Sequence, residues 1–376
     1  MNSGPVGVGV IGAGVISSRY LTNLTSFPDV DVRFVADIDV PRAAAQAETF
    51  GIPRAGTVAE LLADPEVEIV VNLTIPAAHA EVGIAVVEAG KHVWSEKPFA
   101  LDRDAGRELL RCAAAADRRV ATAPDAFLGA GVQTLRRLVE AGEIGEPLTA
   151  LSVMQTPGPD SWHPNPDFLF QEGAGPLFDI GPYHLTALVQ IFGPIAAVSA
   201  STSQARARRT IATGPRAGES FDVSVPTHVS AIYEFESGAS AQCLFSFDSK
   251  LPRVLFEIAG TTGTLTAPDP NMYDGELRLH RGRDDVRTIP ASGVTTNHGI
   301  GVAELAQAIR AGRPERASGE QAFHVLDAML ATLDSARARR RETVESTTTV
   351  APPLPADWDP HRATLSTEED DRRLTN

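Results

Sequence analysis

The sequence predicts an α/β protein in two parts: an N-terminal domain on a parallel sheet, then an α/β domain around a large, mostly antiparallel open sheet. Three observations carry this. At 376 residues the chain is long for one hydrophobic core. Over roughly its first third, short continuous apolar runs alternate with helical stretches, the pattern of a parallel sheet covered on both faces. Beyond that, β-rich runs follow one another through tight turns, which is how antiparallel neighbours connect.

In chain order, Val6 to Ile11 reads as a strand, followed by Gly12-Ala13-Gly14 and a helical run from Val15. Val32 to Ala36 is a second strand ending at Asp37, and Pro41 to Phe50 a helix with Pro in its first turn and Gly51 as its stop. Strands are expected at Ile69–Leu73, His92–Ser95 and Val120–Ala123, with helices at Glu81–Ala89 and Asp102–Ala116 between them. The second part opens with a helix at Ala130–Ala141 and a strand near Leu148–Gln155. A loop rich in Gly, Pro and aromatics then spans Pro157–Pro176, ahead of a helix at Phe178–Phe192. Strands are expected at His228–Glu236, Ala239–Phe247, Val254–Ala259, Gly263–Thr266 and Glu276–His280. A helix from Ser318 carries a capping box with Gln321. From Ala351 the chain is rich in Pro and charge, with an acidic run at Glu368–Asp371, and reads as a surface tail. The domain boundaries implied are 1–125, 126–345 and a tail 346–376.

Composition narrows the function classes. A formal net charge of −15 argues against nucleic acid or an anionic membrane as partner, because phosphate surfaces need concentrated basic charge. The N-terminus lacks the basic segment and apolar core of a secretory signal, and no apolar run approaches membrane-spanning length. With two cysteines far apart, Cys112 and Cys243, neither a disulfide framework nor a cysteine metal site is expected, and the compartment reads as the reducing cytoplasm. The histidines show no metal-ligand spacing, and no metal is expected. Basic residues are almost all arginine; the lysines are Lys91, Lys97 and Lys250.

The first chemical signal is Gly12-Ala13-Gly14-Val15-Ile16-Ser17, a G-x-G-x-x-G pattern with Ser in the last position. Alone it is weak, and the glycines also fit an ordinary strand–helix turn. Here a strand precedes it, a helix follows, and Asp37 ends the second strand, which is the context of a dinucleotide-binding (Rossmann) domain. Gly12 permits the tight turn. Gly14 lets a pyrophosphate approach the backbone, and the helix start at Val15 and Ile16 offers N–H donors. A carboxylate at Asp37 suits ribose hydroxyls and repels a 2′-phosphate, so NAD is favoured and NADP kept as the alternative. Arg42 could reach such a phosphate or sit on a solvated helix face.

Two further segments, Thr74-Ile75-Pro76-Ala77-Ala78-His79 and Ala89-Gly90-Lys91-His92-Val93-Trp94-Ser95-Glu96-Lys97-Pro98, complete a pattern. Together with the glycine turn they resemble the glucose–fructose oxidoreductase and inositol dehydrogenase family (Gfo/Idh/MocA). The resemblance covers the N-terminal domain closely and the rest more loosely, to about Gly319. It implies that Thr74, Ile75, Pro76, His79 and Glu96 line the coenzyme, that Lys97 stands where the nicotinamide meets the substrate's reacting oxygen, and that Lys97–Pro98 is a cis peptide. The chemistry asks for such a group. Hydride leaves a C–H as a proton leaves the adjacent O–H, and a cation steadies the developing alkoxide. The competing reading makes Lys97 a surface residue.

The resemblance also implies that the glycine-rich stretch Gly173–Leu177 leads into a helix bearing an Asp and, four residues on, a His or Tyr. Asp179 and Tyr183 hold that spacing, which puts them on one helix face. His184, one step round, is the competing acid/base. Core packing for Tyr183 and a helix-terminal charge for Asp179 are the plain alternatives. Trp162, His163, Asn165 and Phe168 in the preceding loop suit a sugar or polyol, whose C–H faces stack while its hydroxyls bond; such residues equally anchor ligand-free loops. Asp125 departs from the family's usual residues after the last strand of the domain and is expected to face the nicotinamide end.

The reading that follows is an NAD(P)-dependent oxidoreductase moving hydride between nicotinamide and a secondary hydroxyl or ketone of a sugar, cyclitol or glycoside. Lys97 polarises or deprotonates, Tyr183 relays the proton and Asp179 orients the substrate. An alternative within the family is a glycosidase that recycles NAD through oxidation, elimination, hydration and reduction. A third is a non-catalytic nucleotide-sensing regulator. In His228–Phe235, Val229, Ala231, Tyr233 and Phe235 share one face while Ile232 interrupts the polarity of the other. Relatives in the family assemble through that sheet, which implies a homodimer or homotetramer.

Overall fold

The computed structural model describes residues 4–365 and divides into two compact units. The first comprises residues up to Gly129 with Gly293–Phe323 and the chain from Ala351. The second comprises Ala130–Ser292 and His324–Val350. Neither unit is contiguous in sequence: the chain passes from the first to the second and back twice.

The first unit holds a six-stranded parallel sheet. Its spatial order is Arg54–Gly56, Val30–Ala36, Val6–Ile11, Ile69–Asn72, His92–Ser95 and Val120–Thr122. The strands Val6–Ile11 and Ile69–Asn72 are buried throughout, as strands covered on both faces must be. Chain order reverses between these two strands, and at such a switch point the crevice at the carboxyl ends of the strands is open to a ligand. The helix Val40–Phe50 has Pro41 in its first turn and ends at Gly51, in the left-handed region at φ +66°, as expected; the structure adds Asp39 as its cap, accepting from the Arg42 amide. Asp102 caps the helix Arg103–Ala116 in the same way.

Several elements of this unit were not anticipated. Arg54–Gly56 and the helix Val58–Ala63, with its Thr57–Glu60 capping box, are short enough to look like loop. The helix Ile300–Ala311 is buried on every side from Ile300 to Ala308, so it shows no apolar stripe for periodicity to detect. Residues 351–365 run mostly along the surface, as expected, but are tied down there. Trp358 Nε1 donates to Gln307, and the Thr364 and Leu365 amides donate to the buried Asp29 carboxylate. The acidic run at 368–371 lies outside the described residues.

The second unit is built on a nine-stranded sheet. Its central strands are Arg253–Gly260, Pro147–Gln155, Ser240–Ser246, His228–Phe235 and Ile195–Ser203. Pairing is antiparallel except between Ser240–Ser246 and Pro147–Gln155. The helix Gly175–Phe192 packs on one face, and His228–Phe235 alternates as expected, with Val229, Ala231, Tyr233 and Phe235 buried and Ile232 exposed. This helix starts three residues earlier than the sequence suggested. Pro182 therefore lies in its interior rather than at its start, where it removes one backbone donor. The strand Ile195–Ser203 and the hairpin Arg208–Thr210 with Ser220–Asp222 were also missed. Among the described residues no helix is long and apolar enough to cross a membrane, and no group of three His, Cys, Asp or Glu side chains is placed to hold a metal ion.

Candidate active site

The site is built first from the glycine turn. Gly12 has φ +104°, and a Cβ there would lie 2.6 Å from the Leu73 carbonyl oxygen, so only glycine fits. Gly14 is the reverse case: a Cβ would meet nothing within 4 Å, leaving open space above the backbone. Gly14 is also the N-cap of the helix Val15–Leu24, whose first turn has no side-chain cap and no acidic residue. An open, uncapped helix start facing free space is a ready anion site. Ser17, in the third glycine's place, is fully buried and donates to the Gly14 carbonyl at 2.6 Å.

Asp37 closes this loop from the next strand. Its Oδ2 accepts from the Ala13 amide at 2.7 Å, and its Oδ1 from the Asp39 amide at 2.9 Å. Arg42 donates to both oxygens, at 3.3 and 2.7 Å. Burial pushes this carboxyl's pKa up, but the Arg42 guanidinium and the two amides outweigh it and hold it below the ordinary range. Around the same strand ends, Val15, Ile38 and Ile75 are 93%, 95% and 69% exposed. Three large aliphatic side chains left uncovered around one crevice fit an occupant with flat aromatic rings. A dinucleotide therefore suits the residues present: pyrophosphate at Gly14, Val15 and Ile16, ribose at Asp37, and aromatic faces against the aliphatic rim.

Lys97 stands at the carboxyl end of His92–Ser95, half-buried, and the peptide bond to Pro98 is cis, as the family resemblance implied. Its backbone N–H donates to Glu96 Oε2 at 3.1 Å. The other oxygen of Glu96 accepts from Tyr20 at 2.7 Å, and Tyr20 in turn accepts from Trp94 Nε1 at 3.2 Å. His79 is buried between two carbonyls, with Nδ1 2.8 Å from Pro98 O and Nε2 3.0 Å from Thr74 O. It thus ties the Thr74 turn to the Lys97–Pro98 turn. Burial pulls its pKa down, opposed by the two carbonyls. Thr74 is held by Asn72, accepting at 2.7 Å from its hydroxyl.

Asp125 follows the last strand of the parallel sheet, Val120–Thr122. It is 1% exposed, and its Oδ2 accepts from the Gly299 and Gly301 amides at 2.8 and 3.1 Å. It caps the helix Ile300–Ala311, a structural task that fits its charge to a helix N-terminus.

In the second unit, Asp179 and Tyr183 lie half-buried on Gly175–Phe192. His184 is fully buried between the helix and the sheet. Its Nδ1 is 2.7 Å from Ser152 Oγ, its Nε2 3.6 Å from Asp269, and its ring meets Phe245 and Phe256 edge-on. That is the environment of a core histidine. In the preceding loop Trp162 and Phe168 are 63% and 57% exposed, and His163 touches both rings edge-on, at centroid distances of 5.5 and 5.6 Å.

Comparison with known proteins agrees with this arrangement. Residues 6–123 match the model of the oxidoreductase family with an NAD-binding Rossmann fold, and residues 132–266 match the GFO/IDH/MocA C-terminal domain. The chain is 28% identical to a 1,5-anhydro-D-fructose reductase of Ensifer adhaerens over 68% of this chain and 74% of that one. It is also 28% identical to an inositol 2-dehydrogenase of Saccharopolyspora erythraea, over 70% and 74%. The fold matches a levoglucosan dehydrogenase solved with NADH and L-sorbose, with a TM-score of 0.78 at 22% identity, over 91% of this chain and 99% of that one. The chain belongs to the Gfo/Idh/MocA family and is an NAD-binding oxidoreductase.

Two residues of the site escaped the sequence reading. Ile38 was legible in principle, as an isolated aliphatic between Asp37 and Asp39. Tyr20 carried no signal, because its partner Glu96 is 76 residues away.

Proposed function

We propose that this enzyme oxidises a secondary hydroxyl of a sugar, cyclitol or glycoside, or reduces the matching ketone, with NAD preferred over NADP. The observation that carries the reading is Lys97, held half-buried beyond a sheet strand by the Glu96 contact and the Pro98 turn, in the same unit as the glycine cradle. The bound nicotinamide supplies the hydride acceptor or donor. Lys97 takes the proton from the substrate hydroxyl in oxidation and returns it in reduction, its ammonium form steadying the alkoxide. Asp179 orients the substrate and Tyr183 relays the proton. The full burial of His184 favours Tyr183 over it in that role. Trp162 and His163 offer an exposed aromatic surface to a sugar's C–H face.

Coenzyme preference rests on Asp37, whose carboxylate faces a 2′-phosphate with like charge. The names of the relatives support the substrate class: a 1,5-anhydro-D-fructose reductase, an inositol dehydrogenase and, at the level of fold, a levoglucosan dehydrogenase. The sheet face opposite the helix, where Leu151 and Ile232 are exposed in the two strands flanking Ser240–Ser246, with Leu244 and Val153 beside them, supports a homodimer or homotetramer through that face. The test is a panel of myo-inositol, levoglucosan and 1,5-anhydro-D-fructose with both coenzymes in both redox states, followed at the absorbance of reduced nicotinamide. Coenzyme binding without turnover on any sugar, cyclitol or glycoside would overturn the reading.

A further inference from the structure

We propose that Arg209 is a positioning residue for substrate recognition: a buried guanidinium that locks the loop carrying Trp162 and His163 into one conformation. This rests on the reading that the loop meets the substrate.

Arg209 lies on the hairpin Arg208–Thr210, and its side chain is 2% exposed. Nη1 donates to the Pro157 carbonyl at 3.0 Å and to Asp160 Oδ1 at 2.7 Å. Nη2 donates to the Phe247 carbonyl at 2.8 Å and to Asp248 Oδ1. The guanidinium plane also sits 4.9 Å from the Phe170 ring centroid. One side chain thus gathers both ends of the segment 157–170 and the end of the strand Ser240–Ser246. Asp248 is held in turn by the Thr227 hydroxyl at 2.5 Å.

A second clamp sits at the far end of the hairpin. Arg216 pairs with Asp167 through two nitrogens, at 2.8 and 3.0 Å, and with Glu219 at 2.8 Å. The Ala212 amide donates to the Asp160 carbonyl at 2.9 Å. A Cβ on Gly214 would lie 2.6 Å from Pro164 Cβ, so the hairpin tip is seated directly on the loop. Between the two clamps Trp162 and Phe168 face solvent.

The chemistry of the first clamp indicates why it is there. A buried guanidinium with two carboxylates is rarely the most stable filling of such a space; apolar residues of like volume often do as well or better. The Nε of Arg209 finds no acceptor among the described residues, a further cost. What the fork supplies is geometry, since a planar donor set fixes two carbonyls and two carboxylates at once, which a point charge cannot. A loop already held in its binding conformation does not have to be ordered when ligand arrives.

The experiment compares wild type with Arg209→Lys, which keeps the charge and loses the fork, and with Arg216→Ala, which opens the outer clamp without touching the core. Hydrogen exchange over 157–170 reads the loop in the coenzyme-bound protein without substrate. Saturation kinetics with whichever panel alcohol turns over best, and titration of NADH, read the site. Faster exchange in both variants is expected. For Arg209→Lys, KM should rise about tenfold with kcat and NADH affinity near wild type. Should Arg209→Lys fail to fold, Arg216→Ala carries the same expectation at smaller size. Unchanged exchange, or faster exchange with unchanged KM, overturns the proposal. A Trp162→Ala variant separates the two layers: if its KM is that of wild type, the assignment of the loop to substrate falls, whatever Arg209 does to its exchange.

Discussion

Replacing Asp37 with serine is expected to weaken NADH binding and strengthen NADPH binding, and the structure lets the size be worked through. The carboxylate accepts from the Ala13 and Asp39 amides and from two nitrogens of Arg42. Serine is too short to keep all four. The Ala13 amide, buried in the glycine turn, loses its acceptor, which costs about 1–3 kcal/mol of stability. For the coenzyme, the loss is a charged acceptor for ribose hydroxyls. A hydrogen bond to a charged group contributes about 1.5–3 kcal/mol, or a rise of roughly tenfold to a hundredfold in Kd for NADH. The same change removes a negative charge from the place a 2′-phosphate would occupy and releases Arg42, half-exposed and one helical turn away. The ratio of the two dissociation constants should therefore move by more than either alone. The assay is a fluorescence titration of NADH and of NADPH, with a thermal melt beside it. An unchanged ratio would refute the argument that this carboxylate sets coenzyme choice. Arg42→Ala in the serine background should then remove the NADPH gain.

Four shorter predictions follow from the same geometry. Lys97→Met should lower turnover by about 10²–10⁴-fold while NADH affinity stays near wild type, and normal turnover would remove Lys97 from the reaction. Gly301→Ala should lower Tm, because its Cβ would lie 1.9 Å from the buried Trp94 ring; overpacking of this kind costs about 1–3 kcal/mol, read by denaturant melts. Asp125→Ala should cost about 1–3 kcal/mol by stripping the cap from Ile300–Ala311, with hydrogen exchange rising first at that helix's N-terminal turn. His92 gives a pH signature. Burial and the neighbouring Arg118 and Arg119 charges lower its pKa from 6.5 to about 4, and its Nδ1 accepts from the Arg119 amide at 3.0 Å. The unfolded chain takes up this proton first, so stability contributed above pH 6.5 is lost as pH falls toward 4. His92→Gln should flatten the Tm profile across that window, and an unchanged slope there would refute the assignment.

What the amino-acid order determined by itself was everything governed by short range. The strand–Gly12–helix turn, the caps and stops at Asp39, Gly51 and Asp102, and the alternation along His228–Phe235 each depend on residues a few positions apart. The same is true of the Glu96-Lys97-Pro98 turn, whose resemblance to a family implied its cis bond. Tertiary structure decided what depends on partners distant in the chain. Asp125 is acidic and sits after a strand, and only the fold shows that it also caps a helix more than 170 residues further on. His184 differs from Tyr183 by one step in sequence, yet about 100° of helix turn places its ring in the core against Phe245 and Phe256. The helix Ile300–Ala311 escaped notice because burial on every side erases the periodicity that betrays a helix. Arg209 looked like one arginine among many; its role exists only where both ends of the segment 157–170 and the end of Ser240–Ser246 meet around it, because desolvation and a planar donor set act on neighbours in space and not on neighbours in sequence.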